Sequence, residues 1–178
     1  MSETKVTKNW FDRHAKAEAK KDTLSYSERV GNIVGVMIGL LIVLYFVAHQ
    51  TGSTGFFTSK FDTLEMLLFY GSIMYGIVSM VLKGLFGRKN LGRLLDVFGA
   101  ILDAVAIAWL FVVFPFDFGH LADLLPDFLK FLLQWISNDV ARVLMMLGII
   151  ATLIMAIYNA IFYVLVRREL SKPTLKTA

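Results

Sequence analysis

The chain has no cysteine among its 178 residues. This absence excludes disulfides, thiolate metal sites, iron–sulfur clusters and palmitoylated cysteines. It is compatible with either side of a membrane and therefore assigns no compartment. Proline is also scarce, with three residues. Pro115 is expected to end one helix, and Pro126 lies inside an apolar run, where it should kink or restart another.

Motifs of common catalytic and transport machinery are also missing from the chain. There is no Gly-rich phosphate loop, no His-Glu-x-x-His zinc helix, no serine hydrolase elbow and no potassium-channel filter sequence. Arginines do not recur at every third position of an apolar stretch, as they do in voltage sensors. We therefore expect a protein that is not an enzyme, with no catalytic residue and no cofactor.

The histidines and acids between the apolar stretches give only a weak indication of a metal site. The candidates are His49, Asp117, His120, Asp123 and Asp127. Imidazole and carboxylate ligands suit zinc, but no pair here has the spacing typical of a structural zinc site. We predict no metal, and we expect His49 and His120 to hydrogen-bond lipid head groups or loop backbone.

Four long apolar stretches, nearly free of charge, dominate the sequence. Hydrophobic residues make up 57% of the chain, more than a soluble domain of this length can bury. Each stretch is close to the roughly 20 residues that a helix needs to cross about 30 Å of hydrocarbon. Three have no formal charge, and the other has only Asp103. The sequence predicts an all-α, polytopic membrane protein, a four-transmembrane-helix bundle with spans at about 30–49, 66–82, 97–114 and 143–166.

Basic residues are distributed unevenly among the regions that flank these spans. Residues 1–29 have seven lysines and arginines, the second loop region has four and the tail has four, which is 15 of the 18 in the chain. Loops rich in lysine and arginine stay in the cytoplasm. We expect a plasma or inner membrane protein with a basic cytoplasmic arm at 1–29, a membrane domain at 30–166 and a cytoplasmic tail at 167–178. The cations should face anionic lipid head groups, and no nucleic acid partner is predicted.

Local sequence signals indicate where several helices begin. Ser25 and Glu28 have capping-box spacing before the first span, and Asp62 has a similar position before the second. Ser137 is expected to help cap the last helix. Residues 9–21 are prone to form a helix, which either lies on the membrane surface or remains a solvated charged arm.

The segment between the third and fourth spans is apolar but striped with polar residues. Asp123, Asp127, Lys130 and Gln134 recur at spacings of four, three and four, which places them on one helix face. The segment is too short and too polar to span the membrane. We predict an amphipathic interfacial helix at 121–136 on the outer side, with a re-entrant helix as the alternative.

Small residues recur every four positions along the spans. Membrane helices associate through close packing at such positions. Lipid is as apolar as leucine, so the hydrophobic effect does not drive helices together within the bilayer. We therefore expect a tight helix bundle. The glycines of the first span are the best candidates for a contact between subunits, although packing within the chain is their favoured use. The packing glycines predicted are Gly31, Gly35, Gly39, Gly76 and Gly148.

Polar residues from three spans fall in one layer of the membrane. Helical rise places Asp103, Asn159 and Tyr75 about 10–12 Å from the cytoplasmic helix ends, and Asp96 lies on the same face as Asp103. A bare carboxylate at that depth costs roughly 2.5–3.5 kcal/mol or more, so it should face the helix interior or a wet cavity. Asp103 is therefore one of two things. It is either a cation or proton site with Asn159 and Tyr75 as partners, or a buried packing residue whose hydrogen bonds fix the register between helices.

Two classes of function follow from these patterns. In the first, the protein is a small channel or transporter for ions or protons, and it is oligomeric because four helices enclose little space. In the second, it is a structural or accessory subunit of a larger membrane complex, docking through its basic arm and interfacial segment. Partners are then the lipid bilayer and either further copies of the chain or other membrane proteins.

Overall fold

The computed structural model is all-α and describes residues 3–172, with side chains given for residues 10, 11 and 13–172. Four of its helices are long and apolar enough to span a membrane, which indicates a multi-pass membrane protein. The end residues 1–2 and 173–178, including part of the predicted tail, lie outside the description. In chain order the helices are α1 (Glu3–Ala19), α2 (Tyr26–Thr51), α3 (Thr63–Phe86), α4 (Lys89–Val113) and α5 (Asn138–Leu170).

The predicted start signals are confirmed at α2 and α5. The Glu28 backbone N–H donates to the Ser25 hydroxyl, and the Glu28 carboxylate accepts from the Ser25 N–H at 2.7 Å, which completes the capping box. Ser137 accepts from the Val140 N–H at 3.3 Å at the start of α5. The turn from α3 to α4 needs Gly87, whose φ of 62° lies in the left-handed region that favours glycine.

The spanning helices pack one after another in an open row, whereas the sequence predicted a tight four-helix bundle. α2 packs on α3, α3 on α4 and α4 on α5, and α1 returns to pack on α5. Within residues 3–172, the backbone of α2 does not approach that of α4 or α5. α3 and α4 are therefore the inner helices, and small residues on the buried face of α4 let its neighbours approach closely. These include Gly99, Ala100, Ala104 and Ala106.

One end of the row, which we call the basic end, is closed by the segment that joins α1 to α2. Asp22 accepts hydrogen bonds from the start of α4, with its carboxylate 2.8 Å from the Asn90 backbone nitrogen. Lys89 pairs with Glu28 at 2.6 Å, and the Arg93 guanidinium donates to Glu18 at 2.7 Å. These contacts bring the N-terminal arm and the α3–α4 turn to the same end, where Arg93 also lies over the Phe162 ring of α5.

The opposite end, the aromatic end, is covered by an aromatic cap built from two loops and the helix ends beneath them. Phe57 and Phe116 form a backbone bridge between the loops, and the Asp117 N–H donates to the Phe56 carbonyl at 2.7 Å. Phe56 is 1% exposed. The cap consists of Phe46, Phe56, Phe57, Phe61, Phe69, Phe116 and Phe118.

His49 lies against this cap and uses loop groups as predicted. Its Nδ1 is 2.5 Å from the Thr54 hydroxyl oxygen, and its Nε2 is 3.2 Å from the Leu121 carbonyl oxygen. The Tyr45 hydroxyl donates to the same carbonyl. Leu121 is thereby tied to α2, which holds the loop after α4 against the row.

The prediction of an amphipathic α-helix at 121–136 is wrong. The segment consists of turns and one short 3-10 helix, Asp127–Leu132, held by i to i+3 hydrogen bonds such as Leu129 N–H to the Pro126 carbonyl at 2.8 Å. Pro126 has no N–H to donate, and its extended ψ of 148° ends the preceding turn before a helix can continue. The apolar side chains nevertheless face outward, and Phe128 is 74% exposed.

The predicted packing glycines divide into two groups. A Cβ at Gly35 would lie 2.5 Å from Met80 Sδ, one at Gly39 would lie 2.8 Å from Ile77 Cγ1, and one at Gly148 would lie 3.5 Å from Ile107 Cδ1. Gly31 and Gly76 face open space, since no atom of the described chain lies within 4 Å of a Cβ built there. The close approach of α2 to α3 therefore depends on Gly35 and Gly39.

We expect Gly39→Leu to weaken the packing of α2 on α3. The added side chain would overlap the buried Ile77, and overpacking of this kind typically costs about 1–3 kcal/mol. Thermal unfolding in detergent measures the effect, with Gly31→Leu as the matched control because that position meets nothing in the described chain. Equal unfolding temperatures for the two variants would contradict the contact.

We expect His120 to make the stability of the aromatic end depend on pH. A hydrogen bond from the ring Nδ1 to Asp123 at 2.8 Å, with the charge of Asp117 nearby, raises the pKa of His120 above its ordinary value. The stabilisation is therefore complete below about pH 6.5 and is lost as the pH rises through the raised pKa. The difference in melting temperature between wild type and His120→Gln should shrink from about pH 6 to about pH 8. A difference that does not change over this range would disprove the linkage.

Candidate functional site

A polar cavity of about 280 Å³ lies in the basic half of the row, between α3, α4 and α5. The backbones of α3 and α5 do not meet within the described chain, so the cavity occupies the gap between them with α4 as its base. All four residues predicted from the sequence line it. They are Tyr75, Asp96, Asp103 and Asn159.

Asp103 is the acidic group deepest along α4 in this cavity. Its side chain is half-buried, and neither a hydrogen bond nor an ion pair reaches it from the residues that the structure describes. It lies two turns from Asp96, or about 10 Å along the helix axis. An unpaired carboxylate within an apolar span requires water, a proton or a cation as its partner.

Other polar groups around Asp103 also lack partners. The Ser79 hydroxyl is buried without a hydrogen bond in the described chain. Asn159 is 7% exposed, and its amide makes no hydrogen bond to the part of the chain that the structure describes. Buried polar groups are normally satisfied, so the unsatisfied Ser79 hydroxyl and the unbonded Asn159 amide favour a polar occupant of this cavity.

Tyr75 and Asp96 line the cavity but are already engaged by other groups. The Tyr75 hydroxyl donates to the Leu95 carbonyl at 2.9 Å and does not bond to Asp103. Asp96 forms an ion pair with Lys83 where α3 and α4 converge on the basic end. The polar residues predicted to share one layer therefore line one cavity. Neither Tyr75 nor Asn159 forms a hydrogen bond with Asp103.

The sequence interpretation missed three members of this lining. These are Lys83, Ser79 and Thr152, which the sequence does not distinguish from other basic or small residues of the chain. Thr152 donates to the Gly148 carbonyl at 3.0 Å, which leaves its hydroxyl oxygen free to accept. Only the four-residue spacing from Ser79 to Lys83 on α3 could have indicated that these two residues share the face of the cavity.

The donor set around the cavity consists of hard oxygen ligands. A carboxylate, an amide carbonyl and two hydroxyls suit protons, water and small hard cations, and they do not suit soft metals. Within residues 3–172 there is no group of three or more histidine or acidic residues that could hold a metal ion. The arrangement is therefore able to stabilise a single positive charge next to Asp103.

A second cavity, of about 360 Å³, lies in the aromatic half of the row and is almost entirely apolar. Phe46, Leu110 and Phe116 close it toward the aromatic cap. Ser72 and Gly148 lie in its wall, and Gly148 is one turn from Thr152 of the polar cavity. The interior of the row thus changes from polar to apolar along its length.

Comparisons of the chain with protein families, curated proteins and solved structures give no match.

Proposed function

We propose that the protein is a small integral membrane channel or transporter for protons or small cations, with Asp103 as the group that binds the charge. The observation that carries the proposal is the half-buried Asp103 carboxylate, unpaired within the described chain and facing a polar cavity among three apolar helices. Ser79 and Asn159 offer further oxygens at the same cavity.

The contrast between the two cavities gives the proposal a mechanism. A cation that enters from the basic end reaches Asp103 through polar surroundings, where the Lys83–Asp96 pair lies at the entrance. Beyond Asp103 it meets the apolar cavity and the aromatic cap. Passage therefore requires the helices to separate in the aromatic half, so that access to Asp103 alternates or is gated there.

Flux through liposomes containing the purified protein tests this function. Proton, Na⁺ and K⁺ gradients are imposed in turn, and dissipation is followed with ion-sensitive dyes. We expect at least one of these ions to move faster than in protein-free liposomes, and the order of rates gives the selectivity. Rates equal to those of protein-free liposomes, with the protein shown to be inserted and monodisperse, would overturn the proposal.

We also propose that the basic end faces the cytoplasm in the plasma or inner membrane, so that both termini are cytoplasmic. The uneven distribution of lysine and arginine supports this orientation. The basic residues around this end would meet anionic lipid head groups. The 121–136 segment would then lie in the outer interface, since its exposed Phe128, Phe131 and Trp135 are residues that favour that region.

Single-cysteine labelling is expected to report this orientation directly, because the chain has no cysteine of its own. Ser59→Cys at the aromatic end and Ser171→Cys at the basic end are exposed, near-isosteric replacements. In intact cells, a membrane-impermeant maleimide should label position 59, whereas position 171 should react only after the membrane is permeabilised. The reverse pattern, or labelling of both positions in intact cells, would contradict the topology.

A second candidate function, a structural or accessory subunit, is favoured by the open row. Among the other helices described, only α3 comes close to α2 along its backbone, and the apolar outer face of α2 is largely uncovered. Either lipid or a neighbouring subunit can cover that face, and a second copy of the chain would also enclose a larger cavity. Light scattering of the protein in detergent distinguishes a monomer from an oligomer, and an accessory subunit should show no flux.

A further inference from the structure

A groove of about 370 Å³ runs between α2 and α3 at the basic end, and Met80 of α3 separates it from the transport cavity. Its walls are apolar and include Ile33, Met37 and Val81. Gly84 forms part of its surface, and a Cβ built there would meet no described atom within 4 Å. The missing side chain at Gly84 therefore helps to create the groove.

The end of the groove nearest the basic end has a charged group that is unpaired within the described part of the chain. Arg29 and Asn32 line it, and no acidic side chain pairs with Arg29 among the side chains that the structure describes. The guanidinium packs against the turn at Gly87, where its Nη2 lies 2.5 Å from the position of a Cβ. Lys89 and Arg93 of the same end are, in contrast, paired with Glu28 and Glu18.

We propose that this groove binds one anionic phospholipid, with an acyl chain along α2 and α3 and the phosphate on Arg29. A guanidinium presents a planar fork of N–H donors that matches a phosphate, and the Asn32 amide can donate beside it. The apolar walls lie directly below that charge, which is the order of parts in a phospholipid. The inference does not depend on transport at Asp103, because Arg29, Asn32 and Gly84 line the groove and do not line the transport cavity.

The position of the groove favours a lipid over a peptide or protein partner. Both walls belong to helices that are long and apolar enough to cross the membrane, and α2 is the edge of the row. The open side of the groove therefore faces hydrocarbon. Acyl chains already surround the protein there. The basic residues at this end attract an anionic head group.

Filling the groove is the first test. Gly84→Leu should remove the site without disturbing a described contact, and Gly71→Leu is its matched control. Gly71 lies on the same helix and also faces open space, but it does not line the groove. The readout is the number of phosphatidylglycerol molecules retained by the protein in native mass spectrometry. We expect one lipid fewer for Gly84→Leu than for wild type and no change for Gly71→Leu.

Removing the charge is the second test, and it does not depend on how Gly84→Leu folds. Arg29→Gln should weaken phosphatidylglycerol binding by about tenfold or more, as expected for loss of a charge-assisted contact. It should leave phosphatidylcholine binding and circular dichroism unchanged. Arg168→Gln removes an equal charge from α5 at the opposite edge of the row and should have no such effect.

The outcomes distinguish lipid binding in this groove from general attraction of anionic lipid to the basic surface. Equal loss of phosphatidylglycerol in Arg29→Gln and Arg168→Gln would overturn the proposal in favour of diffuse attraction. Retention of the lipid by a folded Gly84→Leu protein would place it elsewhere and would also overturn the proposal. Loss of lipid in Gly84→Leu and Arg29→Gln, with both controls unaffected, supports it whether or not the protein transports ions.

Discussion

Asp103→Asn is expected to reduce ion flux to the level of protein-free liposomes while the protein still folds. Asparagine keeps the shape of the side chain but cannot carry a charge or exchange a proton, so the cavity loses the group that offsets a cation. Because Asp103 pairs with no described residue, removing its charge breaks no ion pair within the described chain. Flux and thermal stability are measured on the same preparation.

Two further variants make the result at Asp103 specific. Asp139→Asn is the matched control, since Asp139 is exposed at the start of α5 and does not line the cavity. It should transport at the wild-type rate. Asp103→Leu should also abolish flux, with little loss of stability if the carboxylate has no structural partner. Full flux in a well-folded Asp103→Asn protein, together with a strongly destabilised Asp103→Leu protein, would assign Asp103 to packing and remove it from transport.

Phe56→Ala is expected to cause the largest loss of stability, about 3–5 kcal/mol, as is typical for removal of a buried phenylalanine. The rings of Phe46, Phe57, Phe116 and Phe118 all have centroids within 5.5 Å of the Phe56 ring. Truncation would leave a void at the point where the two loops meet. Unfolding by denaturant in mixed micelles measures the change.

Phe128→Ala is the control for this substitution. Phe128 also belongs to the aromatic end, but it is 74% exposed and makes no ring contact with the cap. It should change the unfolding free energy by less than about 0.5 kcal/mol. If the two variants lose similar stability, the aromatic cap does not hold the loops together in the way described.

The parts of the fold that local sequence determines were predictable. An apolar run of about 20 residues can satisfy its backbone in lipid only as a helix, so the four long helices follow from composition. The cap at Ser25 follows from side chains three residues apart. Placing Asp103 and Asn159 on one cavity needed only helical rise and the cost of a bare charge in hydrocarbon.

The features that depend on distant residues were not predictable in the same way. The polar stripe at 121–136 matched a helix, but loop contacts made by Leu121 and the break at Pro126 gave turns instead. The Lys83–Asp96 pair joins two helices across a turn, and periodicity along one helix does not reveal it. Whether four helices close into a bundle or form a row is set by which faces meet, and small residues occur on every span.

The order of helices in the row has a consequence for how the protein is assembled. From α3 onward, each spanning helix packs on the one made just before it, so α3, α4 and α5 can each dock as soon as they enter the membrane. The exception is α1, whose Phe11 lies near Phe162 late in α5, with ring centroids 6.0 Å apart. α1 is made before all four spanning helices and must therefore wait for α5, and a chain that stops before Phe162 leaves α1 without this contact.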